Sequence, residues 1–543
     1  MKTVKIDGTI LKRAFIGATK FLEEHKEEIN SLNVFPVPDG DTGTNMALTM
    51  KSAIKQIKDL DEKNAGKVAS AVSTGSLMGA RGNSGVILSQ LFRGFAEGLK
   101  GKETIGTVDL SQALKLAADT AYKAVMKPTE GTILTVARGC AEHALSIAEK
   151  EDDISVFMKS VIEHGNDVLN RTPEMLPVLK QAGVVDAGGR GLMCVLAGAY
   201  KAMTMDDIEL GTTSEGLVEV RIAAHHVDSD DIEFGYCTEF MINTDYKDYE
   251  GLREDLSKFG DSLMVVGGEG MVKVHVHTNN PGKVLEKALM LGELNDIKID
   301  NMRYQHSHIM EDAPRDGLKE PAKPIKKYGF ITVSIGDGIN RVFKELNVDY
   351  IIPGGQTMNP STEDILKAVE EVEAENIIIL PNNGNIILAA DQAKELSEKS
   401  VHVFPSKTIP EGITALLYFD GELGVEENLA NMEEAVSNVK TAQVTYAVRD
   451  TEMGEVRIKK DDIIGISMGE IIATGEDVQE VSLDLIKAIV DEDASLITIF
   501  YGNDIGEDKA NELSEKLHDE FEDFDIELIF GGQPLYYYII SIE

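Results

Sequence analysis

From residue 7 to about 205, apolar side chains recur at helical spacing almost without a break. Leu11, Phe15, Ala18, Leu22 and Ile29 fall on one face behind Asp7 and Thr9, two candidate caps. The same spacing returns at about 46–60, 66–80, 85–99, 109–126, 131–149, 154–170 and 189–204. The pattern therefore predicts roughly eight helices and no strand, an all-α barrel or bundle whose inter-helix loops are free to carry chemistry.

Near residue 217 the period changes from helical to alternating. Runs at 218–222, 235–244 and 271–278 are β-branched or alternate apolar with polar, and helical patterns at 246–259 and 282–292 separate or follow them. This predicts a small α/β domain. Residues 312–327 contain Pro314, Pro321 and Pro324 with little apolar material and read as an exposed linker. Beyond it strands at 328–333, 350–353, 376–380 and 401–404 alternate with helices at 338–347, 362–373 and 387–398, the signature of a parallel sheet with crossover helices. A further α/β part runs from about 440 and closes on the apolar run Leu535–Ser541, which reads as a buried strand. The expected layout is thus multidomain: an all-α domain over 1–207, an α/β middle domain over 215–311, the linker, and an α/β C-terminal domain over 328–543.

The length of 543 residues agrees with roughly three domains, and 43% hydrophobic with 27% charged residues is ordinary globular composition. The net charge is not ordinary. At −40, from 93 acidic against 53 basic residues, the surface repels nucleic acid and anionic lipid headgroups, so neither is an expected partner. Three scattered cysteines offer no disulfide framework and point to a reducing, cytoplasmic setting. Neither a signal peptide nor a membrane span is expected from the apolar runs.

The candidate chemistry is concentrated in residues 33–45, Asn-Val-Phe-Pro-Val-Pro-Asp-Gly-Asp-Thr-Gly-Thr-Asn. Pro36 and Pro38 stiffen the approach, and Gly40 and Gly43 permit a tight turn. Asp39 and Asp41 can aim carboxylates at one point, where their repulsion calls for a cation; Mg²⁺ suits hard oxygen ligands shared with phosphates. Thr42, Thr44 and Asn45 add polar oxygens. A plain Asx-turn with an aspartate cap is the competing account of this stretch.

Two further glycine-rich loops precede helices, Gly79-Ala80-Arg81-Gly82-Asn83-Ser84-Gly85 and Asp186-Ala187-Gly188-Gly189-Arg190-Gly191, and Pro128–Thr132 opens another. Backbone N–H groups at such helix starts suit phosphate. In the middle domain, His275 and His277 lie two apart on a predicted strand, with Cys237 on a candidate neighbour. These are good zinc ligands, with Glu239, Asp261, His306 or His308 as candidate completing groups. In the C-terminal domain the loops 354–362 and 381–385 follow strands, as ligand loops do, but capping by Ser361 or Thr362 accounts for them equally well.

Taken together, the 33–45 stretch, Arg81–Gly85 and Asp186–Gly191 resemble the nucleotide-binding subunit of dihydroxyacetone kinases over about residues 1–205. Over nearly its whole length the chain resembles bacterial fatty acid kinases, the ATP-binding component that works with a separate fatty-acid-binding protein. The resemblance implies two Mg²⁺ ions held by Asp39 and Asp41 against the phosphates of ATP or ADP. It also implies phosphate contacts from Asn83, Ser84 and Gly85, and a nucleotide site lined by Asp186, Gly188 and Thr132. Asn33 stands near where the dihydroxyacetone kinases have a third aspartate, which implies weaker hold on one ion. Zn²⁺ at Cys237, His275 and His277 is implied as well. The reaction so implied is transfer of phosphate from ATP to a fatty acid carboxylate, giving acyl phosphate for phospholipid synthesis, and a homodimer is expected. The alternatives are a small-ketone kinase and a nucleotide-binding scaffold without turnover.

Overall fold

The computed structural model describes residues 4–33, 40–58, 60–125, 127–204, 236–244, 252, 255–256, 258–268, 271–301, 326–355, 359–453, 456–491 and 494–543. The chain divides into two compact units, Met1–Gly211 with Ile325–Glu543, and Thr212–Pro324.

The first part of the larger unit is helical throughout: α1 (Gly8–Glu24), α2 (Lys26–Asn30), α3 (Thr42–Ile57), α4 (Ala65–Met78), α5 (Gly82–Gly98), α6 (Thr107–Ala124), α7 (Ile133–Ile147), α8 (Ile154–Asn170), two short turns α9 (Thr172–Met175) and α10 (Pro177–Ala182), and α11 (Ala187–Thr204). The caps are local. Asp7 accepts from the backbone N–H of Thr9 and Ile10, Asn64 caps α4 and Asp153 caps α8, each removing orphan donors at a helix start. From α3 to α8 successive helices pack as neighbours, and α11 returns against both α8 and α1, so the helices form a closed ring around one core. Leu11, Phe15, Leu22, Met46, Met50, Leu88, Phe92, Phe157, Val161 and Met193 fill that core. Gly17 and Gly198 lie where α1 and α11 cross. A Cβ on Gly17 would come within 2.3 Å of the Ala202 side chain, so the approach requires glycine.

Among the described residues, the second part of the larger unit holds two large sheets and one two-stranded hairpin. In the smaller unit, met first along the chain, the described strands are β1 (Tyr236–Asn243), β2 (Gly260–Gly268), β3 (Met271–Thr278) and β4 (Glu293–Asn301), with α12 (Pro281–Leu289) before β4. Returning to the larger unit, β5 (Lys326–Ser334), β6 (Tyr350–Pro353), β7 (Ala374–Leu380) and β8 (Val401–Val403) form a wholly parallel sheet in the order β6-β5-β7-β8. The crossovers contain α13 (Asp337–Glu345), α14 (Thr362–Glu371) and α15 (Ile387–Leu396), followed after β8 by α16 (Ile409–Leu417) and α17 (Val425–Val436). This is the alternation that the sequence predicts.

A six-stranded sheet follows, containing β9 (Lys440–Tyr446), β12 (Ile463–Ser467), β13 (Glu470–Gly475), β14 (Leu496–Tyr501), β15 (Asp525–Phe530) and β16 (Tyr538–Ile542), in the order β13-β12-β9-β16-β14-β15. The hairpin β10 (Thr451–Met453) and β11 (Val456–Ile458) lies between β9 and β12, while α18 (Val478–Ile489) and α19 (Glu507–Glu520) cover the sheet. All five residues of β16 are buried, as a strand between β9 and β14 must be. The buried strand expected from Leu535 begins at Tyr538, because Leu535 adopts positive φ in the turn before it.

The smaller unit is an antiparallel sheet in the order β2-β3-β1-β4. The sequence pattern points to β1, β3 and α12 but passes over β2 and β4. Gly260, Gly267 and Gly268 dilute the first, and alternation in Glu293–Asn301 rests on only Leu294, Ile297 and Ile299. The expected strand at 218–222 lies outside the described residues, as do 312–325 of the expected linker 312–327 and most of the expected helix at 246–259, while the linker's last two residues, Lys326 and Lys327, already belong to β5.

Within the larger unit the helical part and the parallel sheet share a core. Ala80, within the second glycine loop, and Val86, just after it, are buried among Ile331, Ile352, Ile365, Ile377 and Ile386. That packing brings the loops after β6 and β7 against the start of α5.

Candidate functional site

The N-termini of α3, α5, α7 and α11 begin around one cleft of about 470 Å³. They supply Asp41, Thr42 and Asn45; Asn83 and Ser84; Thr132 and Ile133; and Asp186, Ala187 and Gly188. Asn33 joins from the start of the first loop, and Leu32, Ile87 and Leu179 add apolar lining. Each helix start turns a positive dipole end toward the cleft, and four around one volume favour a polyanion even though side chains accept from some of their first N–H groups.

How Asp41 comes to be available is a matter of who caps α3. Asp41 is the residue before the helix, yet its side chain makes no capping bond. Asn30, at the end of α2, does that work instead: its amide oxygen accepts from the backbone N–H of Gly43 at 2.8 Å and of Thr44 at 3.2 Å, and its amide nitrogen donates to the Thr44 hydroxyl at 3.0 Å. The Asp41 carboxylate, 8% exposed, is thereby left at the cleft. Asn33 accepts from the Thr42 hydroxyl at 2.8 Å, and its backbone oxygen accepts from the Arg449 guanidinium, so it also fastens the turn.

Asp186 precedes α11 and bridges two helix starts. Its carboxylate accepts the Gly189 N–H at 2.6 Å, and the backbone N–H of Ile133 at the head of α7 also favours its charge. Burial outweighs these bonds and pushes its pKa up to about 6. Such a group favours a neutralising partner.

Thr44 and Gly85 do not line the cleft. The Thr44 hydroxyl is taken by Asn30, and Gly85 is pressed against α3, where a Cβ would meet the Thr49 hydroxyl oxygen at 2.4 Å. Asp39 lies outside the described residues. In the smaller unit, the backbone register sets Cys237 directly opposite His277 and Glu239 opposite His275, with Asp261 opposite His277 on the other side of β3. The side chains of this group lie outside the described residues, as do His306 and His308. Among the described residues no three His, Cys, Asp or Glu side chains gather into a metal-binding group.

The C-terminal part contributes a wall that the sequence pattern does not reveal: Asn385, Gln443, Ile466 and Tyr536. Only Asn385 falls in a loop singled out as a candidate. The contact is extensive. Arg81 pairs in a backbone bridge with Ser361, its guanidinium donates to the Asn359 backbone oxygen at 2.7 Å and meets the Asp364 carboxylate at 3.2 Å, and the Thr362 N–H donates to Ala80 at 3.2 Å. The Asn83 amide reaches the Gly384 oxygen at 3.4 Å and the Asn385 side chain at 3.3 Å. Ser361 caps α14 as its type suggests, its hydroxyl accepting the Asp364 N–H at 3.1 Å. Residues 359–362 of the loop 354–362 thus serve capping and docking at once.

Comparison with known proteins accounts for nearly the whole length. The DAK2 domain model matches residues 36–201, the FakA-like middle domain of fatty acid kinases matches 233–309, and the FakA-like C-terminal domain matches 329–543. Protein YloV of Bacillus subtilis (strain 168) is 46% identical over 550 residues, covering 99% of each chain. The chain belongs to the FakA-like fatty acid kinase family. Its N-terminal helical ring is the DAK2 element of that family, and the four helix starts around the cleft belong to it, with the family's C-terminal domain closing the side. Among solved structures, DegV, a fatty acid binding protein from Bacillus subtilis, is 12% identical with a TM-score of 0.31, covering 40% of this chain and 99% of its own. The dihydroxyacetone kinase from C. freundii is 13% identical with a TM-score of 0.31, covering 45% of this chain and 56% of its own. No helix among the described residues is long and apolar enough to cross a membrane.

Proposed function

We propose that this member of the family transfers the γ-phosphoryl group of ATP to a fatty acid carboxylate presented by a separate fatty-acid-binding protein, giving acyl phosphate and ADP. The observation that carries the reading is the convergence of four helix N-termini with the Asp41 carboxylate on one cleft. The family descriptions of the middle and C-terminal domains support the fatty acid as acceptor.

The donor set fits magnesium. Asp41 and the amide of Asn45 are buried oxygen donors at the cleft, and Asp41 has been relieved of capping by Asn30. Asp41, with Asp39 of the same loop, would hold Mg²⁺, which when bound supplies charge neutralisation along the phosphates. Asn83 and Ser84, at the start of α5, would orient the phosphates through N–H and hydroxyl donors, and Thr132 and Gly188 would line the remaining rim. The acceptor carboxylate is ionised at neutral pH and needs no base. One of its oxygens bonds to the γ-phosphorus as the bond to the bridging oxygen breaks, and the electron pair leaves with ADP. The chain's contribution is then position and electrostatics. In the smaller unit we assign Zn²⁺ to Cys237, His275 and His277, a reading supported by their register on adjacent strands.

The test is ADP release by the full chain with ATP, Mg²⁺ and a fatty-acid-loaded binding protein. Asp41→Asn, which keeps shape and removes charge, is expected to lower turnover by about 100-fold or more. No turnover by wild type with any loaded carrier, or near-normal turnover by Asp41→Asn, refutes the proposal.

A further inference from the structure

Asn359 sits 318 positions beyond Asp41 in the chain, outside any strand or helix, and is 1% exposed. A polar side chain is buried this fully only when something holds it there. Its amide nitrogen donates to the Asp41 carboxylate and reaches the Asn45 side-chain oxygen at 3.5 Å. The other end of the amide, Oδ1, is buried and accepts no hydrogen bond. Space for the amide is made on the opposite side by Gly82, which holds φ +56 and where a Cβ would meet the Asn45 amide nitrogen at 2.5 Å and that of Asn359 at 3.2 Å. The backbone of Asn359 is pinned as well, through its oxygen to Arg81, while Arg81 also engages Asp364.

We propose that Asn359 is a positioning residue through which the C-terminal part sets the Asp41 carboxylate for a metal-bound nucleotide, so that Mg²⁺-dependent binding at the cleft requires the C-terminal loop to be docked. This rests on the reading of Asp41 as a Mg²⁺ ligand. A carboxylate at the head of α3 has two soft torsions and would sample several orientations; a donor fixed from across the cleft selects one and so lowers the ordering cost of binding. The arrangement makes the docked loop part of the nucleotide site. Loosening the Arg81 clasp would therefore reach the phosphates without any change in the helical ring.

The experiment measures binding of a non-hydrolysable ATP analogue to the full chain by calorimetry, with and without Mg²⁺ titrated at constant ionic strength. For Asn359→Leu, which keeps volume and removes the donor, the Mg²⁺ concentration for half-maximal binding is expected to rise roughly tenfold while metal-free nucleotide affinity stays at the wild-type value, as loss of one charge-assisted hydrogen bond predicts. A merely structural role would lower both together. An unchanged Mg²⁺ requirement in Asn359→Leu, with Asp41→Asn losing Mg²⁺-dependent binding, overturns the positioning role and leaves the reading of Asp41 standing. Retention of Mg²⁺-dependent binding by Asp41→Asn overturns that reading itself. Should Asn359→Leu not fold, Arg81→Gln decides: a several-fold higher Mg²⁺ requirement supports the proposal and an unchanged one overturns it.

Discussion

Asp186 holds a carboxylate where burial disfavours its charge, and this should be measurable as instability that disappears in acid. The pKa is pushed from the ordinary 3.8 up to about 6, chiefly by burial, against the pull of the Gly189 and Ile133 N–H groups. A raised carboxylate pKa means that the folded chain binds a proton more tightly than the unfolded one between those values. Stability therefore falls as pH rises from about 4 to 6, and the loss is complete above about 6. Two pKa units correspond to about 3 kcal/mol. Asp186→Asn removes the charge, keeps the shape and leaves an oxygen to accept from Gly189. In chelator and without nucleotide, it should raise the melting temperature at pH 8 by on the order of 5 to 10 °C, as ~3 kcal/mol does for a part of this size. At pH 4, where Asp186 is itself protonated, the two proteins should melt nearly together. Thermal denaturation followed by circular dichroism across this pH range reads both. A variant no more stable than wild type at pH 8, or a gain that persists unchanged at pH 4, would refute the reasoning. Strain of this kind at a cleft residue is the usual cost of holding a charge ready for a ligand.

Two further outcomes follow from the same geometry. Asn30→Ala strips the capping acceptor from Gly43 and Thr44 and should cost about 1 to 2 kcal/mol, lowering nucleotide affinity as Asp41 turns inward to cap α3; unchanged denaturant midpoint and affinity would show that Asn30 is not the cap. Elemental analysis of the purified chain should find zinc near one equivalent, lost in His275→Ala together with protease resistance of the smaller unit; zinc-free wild type would sink the assignment.

The helical ring was legible because its period repeats over many turns, and Asp7 and Ser361 announce helix starts through bonds only two or three residues long. The alternation in 328–404 was legible for a similar reason, since each crossover is closed by nearby residues. The strands β2 and β4 were not, their apolar positions being too few to show a period. Residues at the heads of α3, α5, α7 and α11 were singled out by glycine and polar composition, which is a local property. Thr44 and Gly85 carried the same composition and nevertheless stand behind the cleft, because which side of a helix start faces a ligand depends on the neighbour packed against the other side.

What the sequence determined by itself was therefore the strongly periodic elements, the acidic and glycine-rich turns and the family. The tertiary structure decided what those turns do to one another. Asn30 caps α3 in place of Asp41 only because α2 folds back on α3, Asp186 acquires its raised pKa only where two helix starts exclude water, and Asn359 meets Asp41 across 318 positions because Ala80 and Val86 are buried in the core of the parallel sheet. Desolvation and long-range hydrogen bonds depend on distance in space, and no local pattern of residues encodes it.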